Sequence, residues 1–150
     1  MRDLWLPTPA DTHALGVRLG RAATPGTFFA LIGDLGAGKT SLARGIGAGL
    51  GVACGVRSPT YVLVQSHAGG RLPLWHADWY RLGDTSELDD LALDELGEGA
   101  VVVVEWADRF LEACPADRLE VHLSEQGEGR SAHLHATGPR HRALEDGGAR

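Results

Sequence analysis

The chain has 150 residues, 43% of them apolar, which suits one domain with a real core, and it carries a net charge of −6. That charge, spread without any basic stripe, argues against unaided binding to nucleic acid, which needs clustered Lys and Arg to displace counterions. Cys54 and Cys114 fit neither a disulfide framework nor a metal-ligand spacing, the N-terminus has no secretory-signal pattern, and no apolar run approaches the roughly 20 residues of a membrane span; a cytoplasmic chain with no membrane association is expected.

In chain order, Thr8-Pro9-Ala10-Asp11 predicts a helix start, with Thr8 as N-cap, Pro9 in the first helical position and an acid three residues after the cap. Leu15, Leu19 and Ala22 continue at helical spacing, and Pro25-Gly26 ends the element. Thr27 to Ile32 reads as a buried strand running into a glycine-rich loop. Thr40 to Ile46 reads as the start of a helix that fades near Gly49-Leu50-Gly51. An irregular stretch from Val52 to Pro59 follows, and Tyr61 to Gln65 and Leu72 to Asp78 predict a hairpin across His67-Ala68-Gly69-Gly70. Ser86 to Leu96 predicts an acidic amphipathic helix stopped by Gly97 and Gly99. Ala100 to Glu105, with no polar alternation, predicts a central strand covered on both faces, followed by a short helix through Phe110-Leu111. Leu119 to Ser124 and Ala132 to Ala136 predict a second hairpin across Gly127-Glu128-Gly129. Beyond Gly138 the chain is polar, so the domain is expected over residues 1–137 and a frayed tail over 138–150. The expected fold is α/β, a mostly parallel sheet with the glycine-loop strand at its centre, flanked by helices and extended by antiparallel hairpin strands.

The single lysine of the chain, Lys39, lies in Gly33-Asp34-Leu35-Gly36-Ala37-Gly38-Lys39-Thr40, a complete match to the G-x-x-x-x-G-K-[ST] phosphate-binding loop. Glycines let backbone N–H groups curl round phosphates, the ammonium reaches the β- and γ-phosphates, and the Thr40 hydroxyl ligates Mg²⁺. A nucleotide hydrolase also needs an acid behind the metal, and Glu105, at the end of four valines, is placed for that at the carboxyl edge of a parallel sheet. Asp78 is a second acidic candidate, with a turn former as its plainer reading. Two such carboxylates can divide metal holding and water orientation between them, in an order that spacing does not assign. Ser58-Pro59-Thr60 stands where a hydroxyl meets a γ-phosphate, or is simply a strand-entry turn. Arg57 and Arg81 read as surface arginines, and His67 and His76 as hairpin residues. The chain has no asparagine and so no Asn-Lys-x-Asp guanine-reading motif, which favours ATP over GTP.

The ordered set Gly33 to Thr40, Ser58-Pro59-Thr60-Tyr61, His76-Ala77-Asp78-Trp79-Tyr80-Arg81-Leu82 and Glu105-Trp106-Ala107-Asp108 resembles the TsaE (YjeE) family, over about residues 8 to 136. The resemblance implies a small P-loop ATPase needed for threonylcarbamoyladenosine, the tRNA modification next to the anticodon. It implies work with TsaB and with TsaD, which performs the transfer, while ATP hydrolysis here sustains repeated turnovers and tRNA is met only through the complex. By the same resemblance Thr40 and Glu105 bind Mg²⁺, and Gly33 and Gly36, Ala37, Gly38, Lys39, Thr40 and Ser41 hold the phosphates. Asp78 and Thr60 are then metal- or water-positioning and switch residues, and Thr8 or Thr12 with Arg130 flank the adenine. Trp79 replaces the more usual leucine, and Asp108 stands where glutamate is frequent. The alternatives are a small-molecule P-loop kinase of the shikimate-kinase kind, for which no arginine-rich lid segment is visible between Asp84 and Glu105, and a slow nucleotide-gated binding module.

Overall fold

A computed structural model describes residues 2–34, 36–52, 64–80 and 99–147. The elements run β1 (Arg2–Leu6), α1 (Pro9–Ala22), β2 (Phe28–Gly33), α2 (Lys39–Leu50), β3 (Val64–His67), β4 (Leu74–Asp78), β5 (Val101–Glu105), a 3₁₀ segment (Ala107–Ala113), β6 (Leu119–Gln126), β7 (Gly129–Ala136) and a second 3₁₀ segment (Pro139–Leu144). The seven strands among the described residues join one sheet in the order β1-β7-β6-β2-β5-β4-β3. The four inner strands β6, β2, β5 and β4 are mutually parallel, while β7, β1 and β3 attach antiparallel at the two sides. The expected architecture is therefore present, with the glycine-loop strand β2 in the middle position.

Each element follows from local chemistry. All five residues of β5 are buried, as an unbroken valine run between two covered faces requires. β4 starts at Leu74, after Pro73, whose missing N–H cannot enter a ladder although its carbonyl still accepts from Val101 at 2.9 Å. α2 stops where Gly51 takes the left-handed conformation at φ 77°, as the glycine there leads one to expect. α1 ends under a guanidinium: Arg71, from the turn before β4, donates to the carbonyls of Gly20, Arg21 and Ala23 at 2.8, 3.2 and 2.8 Å.

α1 and α2 cover one face of the sheet, where Leu15, Leu19, Leu42, Ile46 and Leu50 meet Phe29, Leu31, Val103 and Val121. They approach closely because glycine meets glycine. A methyl group on Gly16 or Gly20 of α1 would collide with the Leu42 or Ile46 carbonyl of α2, and one on Gly45 or Gly49 with the His13 or Val17 carbonyl of α1. On the opposite face Phe28, Ala30, Val102 and Val104 pack with Trp79 and Ala107, and Trp79 meets Phe110 edge to face at 6.4 Å.

Two regions differ from expectation. Arg2–Leu6, for which no element was expected, pairs with β7 from Arg2↔Leu134 to Leu6↔Arg130. The segment expected to fray from residue 138 instead forms the 3₁₀ turn Pro139–Leu144, in which His141 is fully buried and Leu144 joins the core. Its anchor is polar. The Phe28 amide donates to His141 Nε2 at 2.9 Å, so the ring carries its proton on Nδ1 and donates it to Asp117 Oδ1 at 2.6 Å. Burial holds His141 below the usual histidine range, against the opposing pull of Asp117. Thr60, Arg57, Arg81, Cys54, most of the irregular stretch and the expected helix Ser86 to Leu96 lie outside the described residues.

Candidate functional site

The site grows from the turn between β2 and α2. Gly36 and Gly38 hold φ values of 82° and 102°, a region costly for any residue with a Cβ, and Gly38 is also the N-cap of α2. That cap has no side-chain hydrogen bond, and the first turn of α2 contains no acid. An uncapped helix start directs backbone N–H groups and the positive end of the helix dipole at whatever lies before it, which makes it an anion site.

Lys39 is only 5% exposed. Its ammonium donates to the carbonyls of Gly33 and Asp34 at 2.6 and 2.8 Å and lies 4.0 Å from the centre of the Trp106 ring. Burial pulls its pKa below the ordinary lysine value, while Glu105, Asp108, Asp34 and Asp78 push it back up. The bulky Trp106 sits in the left-handed region at φ 60°, an uncommon conformation that brings its indole over the lysine.

Parallel pairing brings the two acids side by side, because Asp78 and Glu105 are register partners at the carboxyl ends of β4 and β5. Glu105 is 2% exposed and has both oxygens engaged: Thr40 Oγ1 donates to Oε1 at 2.9 Å, and His76 Nε2 lies 2.5 Å from Oε2. Asp78 Oδ1 accepts from the Tyr80 amide at 2.9 Å, so it forms the turn after its strand and still faces the lysine electrostatically. A hydroxyl and carboxylates suit a hard, oxygen-seeking cation such as Mg²⁺. Among the described residues no three His, Cys, Asp or Glu groups form a ready-made cage.

A pocket of about 140 Å³ adjoins the same loop, walled by Thr8 and Thr12 of the α1 start, Gly36 and Gly38 of the loop, Ser41 of the first turn of α2, and Arg130 of β7. The Thr12 hydroxyl is buried there with no hydrogen-bond partner among the described residues, which leaves one donor and its lone pairs for a polar ligand. Arg130 donates to the Gly36 carbonyl at 3.2 and 2.9 Å and lies 3.5 Å from Glu125. The structure thus brings together Thr8, Thr12, Gly33, Gly36, Ala37, Gly38, Lys39, Thr40, Ser41, Asp78, Glu105 and Arg130 around one loop, while Thr60 lies outside the described residues. His76 lies in the β3–β4 hairpin as its sequence reading has it, and what that reading did not include is its contact with Glu105. Its signal was the alternation Leu74, His76, Asp78, which places it on the face of β4 that carries Asp78.

A family model described as threonylcarbamoyl adenosine biosynthesis protein TsaE matches residues 6–132. A tRNA threonylcarbamoyladenosine biosynthesis protein TsaE from Bacillus subtilis is 40% identical over 91% of this chain and 86% of its own, and one from Streptomyces coelicolor is 45% identical over 73% and 76%. The crystal structure of Bacillus subtilis YdiB superposes with a TM-score of 0.82 at 31% identity, over 99% of this chain and 93% of that one. Among the described residues no helix is long and apolar enough to cross a membrane. With the family model matched over residues 6–132 and relatives matched over most of their length, the chain belongs to the TsaE family of threonylcarbamoyladenosine biosynthesis proteins.

Proposed function

We propose that this chain is a cytoplasmic Mg²⁺-dependent ATP hydrolase that sustains the threonylcarbamoyladenosine modification of tRNA next to the anticodon, working with TsaB and TsaD. One observation carries the reading: at the uncapped start of α2, Thr40 and Glu105 are joined directly, beside the sole lysine of the chain. In this P-loop the amides of residues 36–41 receive the phosphates, and Lys39 exchanges the Gly33 and Asp34 carbonyls for β- and γ-phosphate oxygens. Thr40 and Glu105 would hold Mg²⁺, which when bound offsets charge building on the phosphate oxygens. Asp78 orients the attacking water or supports the metal, Thr60 acts as the switch hydroxyl, and Thr8, Thr12 and Arg130 flank the adenine. The net charge of −6 fits a protein that meets tRNA only through its partners.

Glu105→Ala separates binding from turnover, because the glycines and Lys39 still hold phosphate while the metal and water lose a positioning group. We expect calorimetric ATP binding to survive and modified tRNA formed per complex over time to stop after the first cycles. Wild-type turnover from this variant would make Glu105 structural and move the acid's role to Asp78. Phosphate release that does not respond to TsaB and TsaD would argue against work in that complex.

A further inference from the structure

We propose that His76 is a positioning residue for Glu105, fixing the carboxylate so that Oε1 faces Thr40; the inference rests on the Mg-ATP reading above. His76 lies in the interior of β4, opposite Gln65 of β3 and Val103 of β5, and is completely buried. Its ring makes one hydrogen bond, Nε2 to Glu105 Oε2 at 2.5 Å, and Nδ1 has no partner among the described residues. An interior imidazole with one of its two nitrogens unsatisfied is a poor stabiliser, since an apolar side chain would fill the same space without that cost. What the ring does is to hold Glu105.

The terminal torsion of a glutamate is broad and nearly two-fold, so a carboxylate tied at one oxygen only can turn away. In this site the second oxygen is tied from behind. His76 and Asp78 share a face of β4, and Val103 and Glu105 the matching face of β5, so the parallel register aims the imidazole N–H along the sheet surface toward α2. Oε2 is thereby committed to His76, and Oε1 is left pointing at the Thr40 hydroxyl 2.9 Å away. Among the described residues no hydrogen bond joins His76 to the loop itself; it acts through Glu105, as outer partners of metal-holding groups do.

The test compares His76→Gln, His76→Asn and His76→Leu. A glutamine amide places a donor near the Nε2 position, asparagine is too short to do so, and leucine keeps apolar volume without a donor. Mn²⁺, an oxygen-seeking stand-in for Mg²⁺, is titrated in the presence of ADP by electron paramagnetic resonance of the free ion; ADP affinity in EDTA, ATP hydrolysis and thermal melting are measured alongside. We expect Asn and Leu to weaken Mn²⁺ binding about 10–100-fold and to lower kcat similarly, with Gln within about threefold of wild type. ADP affinity in EDTA stays at the wild-type value in all three. Wild-type Mn²⁺ affinity in Asn and Leu, or an equal loss in Gln and Asn, would overturn the inference. Should Leu fail to fold, the Gln and Asn pair decides, since both keep a polar amide and differ in reach. A wild-type chain that takes up no Mn²⁺ with ADP would instead overturn the nucleotide reading, and this inference with it.

Discussion

The two helices that lie together on one face of the sheet begin in opposite ways. α1 closes its own start: Asp11 N donates to Thr8 Oγ1 at 3.3 Å, Thr8 N donates to Asp11 Oδ2 at 2.9 Å, and Pro9 has no N–H to satisfy. α2 leaves its start open, with a left-handed Gly38 in the cap position and a lysine, the wrong charge for that end of the dipole, as its first residue. Judged by helix stability alone, α1 is the better-made element and α2 breaks the rules of its own end. The difference separates an end built to be stable from an end built to receive an anion, and local rule-breaking beside a glycine loop is the sign to look for.

The largest way to break this contrast is Lys39→Ala, which removes the only ammonium and leaves the amides without a charged partner for the phosphates. Loss of charge-assisted hydrogen bonds of this kind weakens Mg-ATP on the order of 100-fold, read by calorimetry. Unchanged affinity with unchanged phosphate release would remove the phosphate assignment altogether. Gly45→Ala comes next and tests whether the two starts are held in register by the glycine contact. Its methyl would meet the His13 carbonyl, so although alanine favours helix, net destabilisation of about 1–3 kcal/mol is expected, as a lower urea midpoint at constant slope. A stabilised variant would mean that the helices can part without cost. The smallest change, Thr8→Ala, opens the closed start and lowers stability by about 1 kcal/mol in the same measurement. No change there would mean that Asp11 and Pro9 suffice to begin α1.

Much of this was legible because it is written locally. The Thr8 cap, the Gly51 stop, the glycine turns of both hairpins and the valine run of β5 each carry their signal within a few residues. The glycine loop and Glu105 were legible for the same reason, and parallel register then placed Asp78 beside Glu105. What stayed hidden depends on partners distant in the chain. β1 has a mixed pattern, with Arg2, Asp3 and Trp5 interleaved with leucines, and is a strand because β7 is there to pair with it. Polar residues 139–147 look like a tail until His141 finds Phe28, 113 residues away. His76 reads as an ordinary hairpin residue until Glu105 comes within reach of its ring.

The middle place of β2 has a consequence for how the chain is made. Phe28–Gly33 leaves the ribosome early, yet its neighbours in the sheet are β5 and β6, and the imidazole that takes its first amide lies in the last element described. Until residue 105 has been synthesised this apolar stretch has neither of its ladders, and until residue 123 it has at most one, so one side stays open to pairing with other chains. Pairing of β2 therefore depends on contacts between segments distant in the chain, which form more slowly than local ones. An incomplete chain stopped before β6 would be an aggregating species, and protection of the Phe28–Gly33 segment during synthesis falls to whatever meets it outside the exit tunnel.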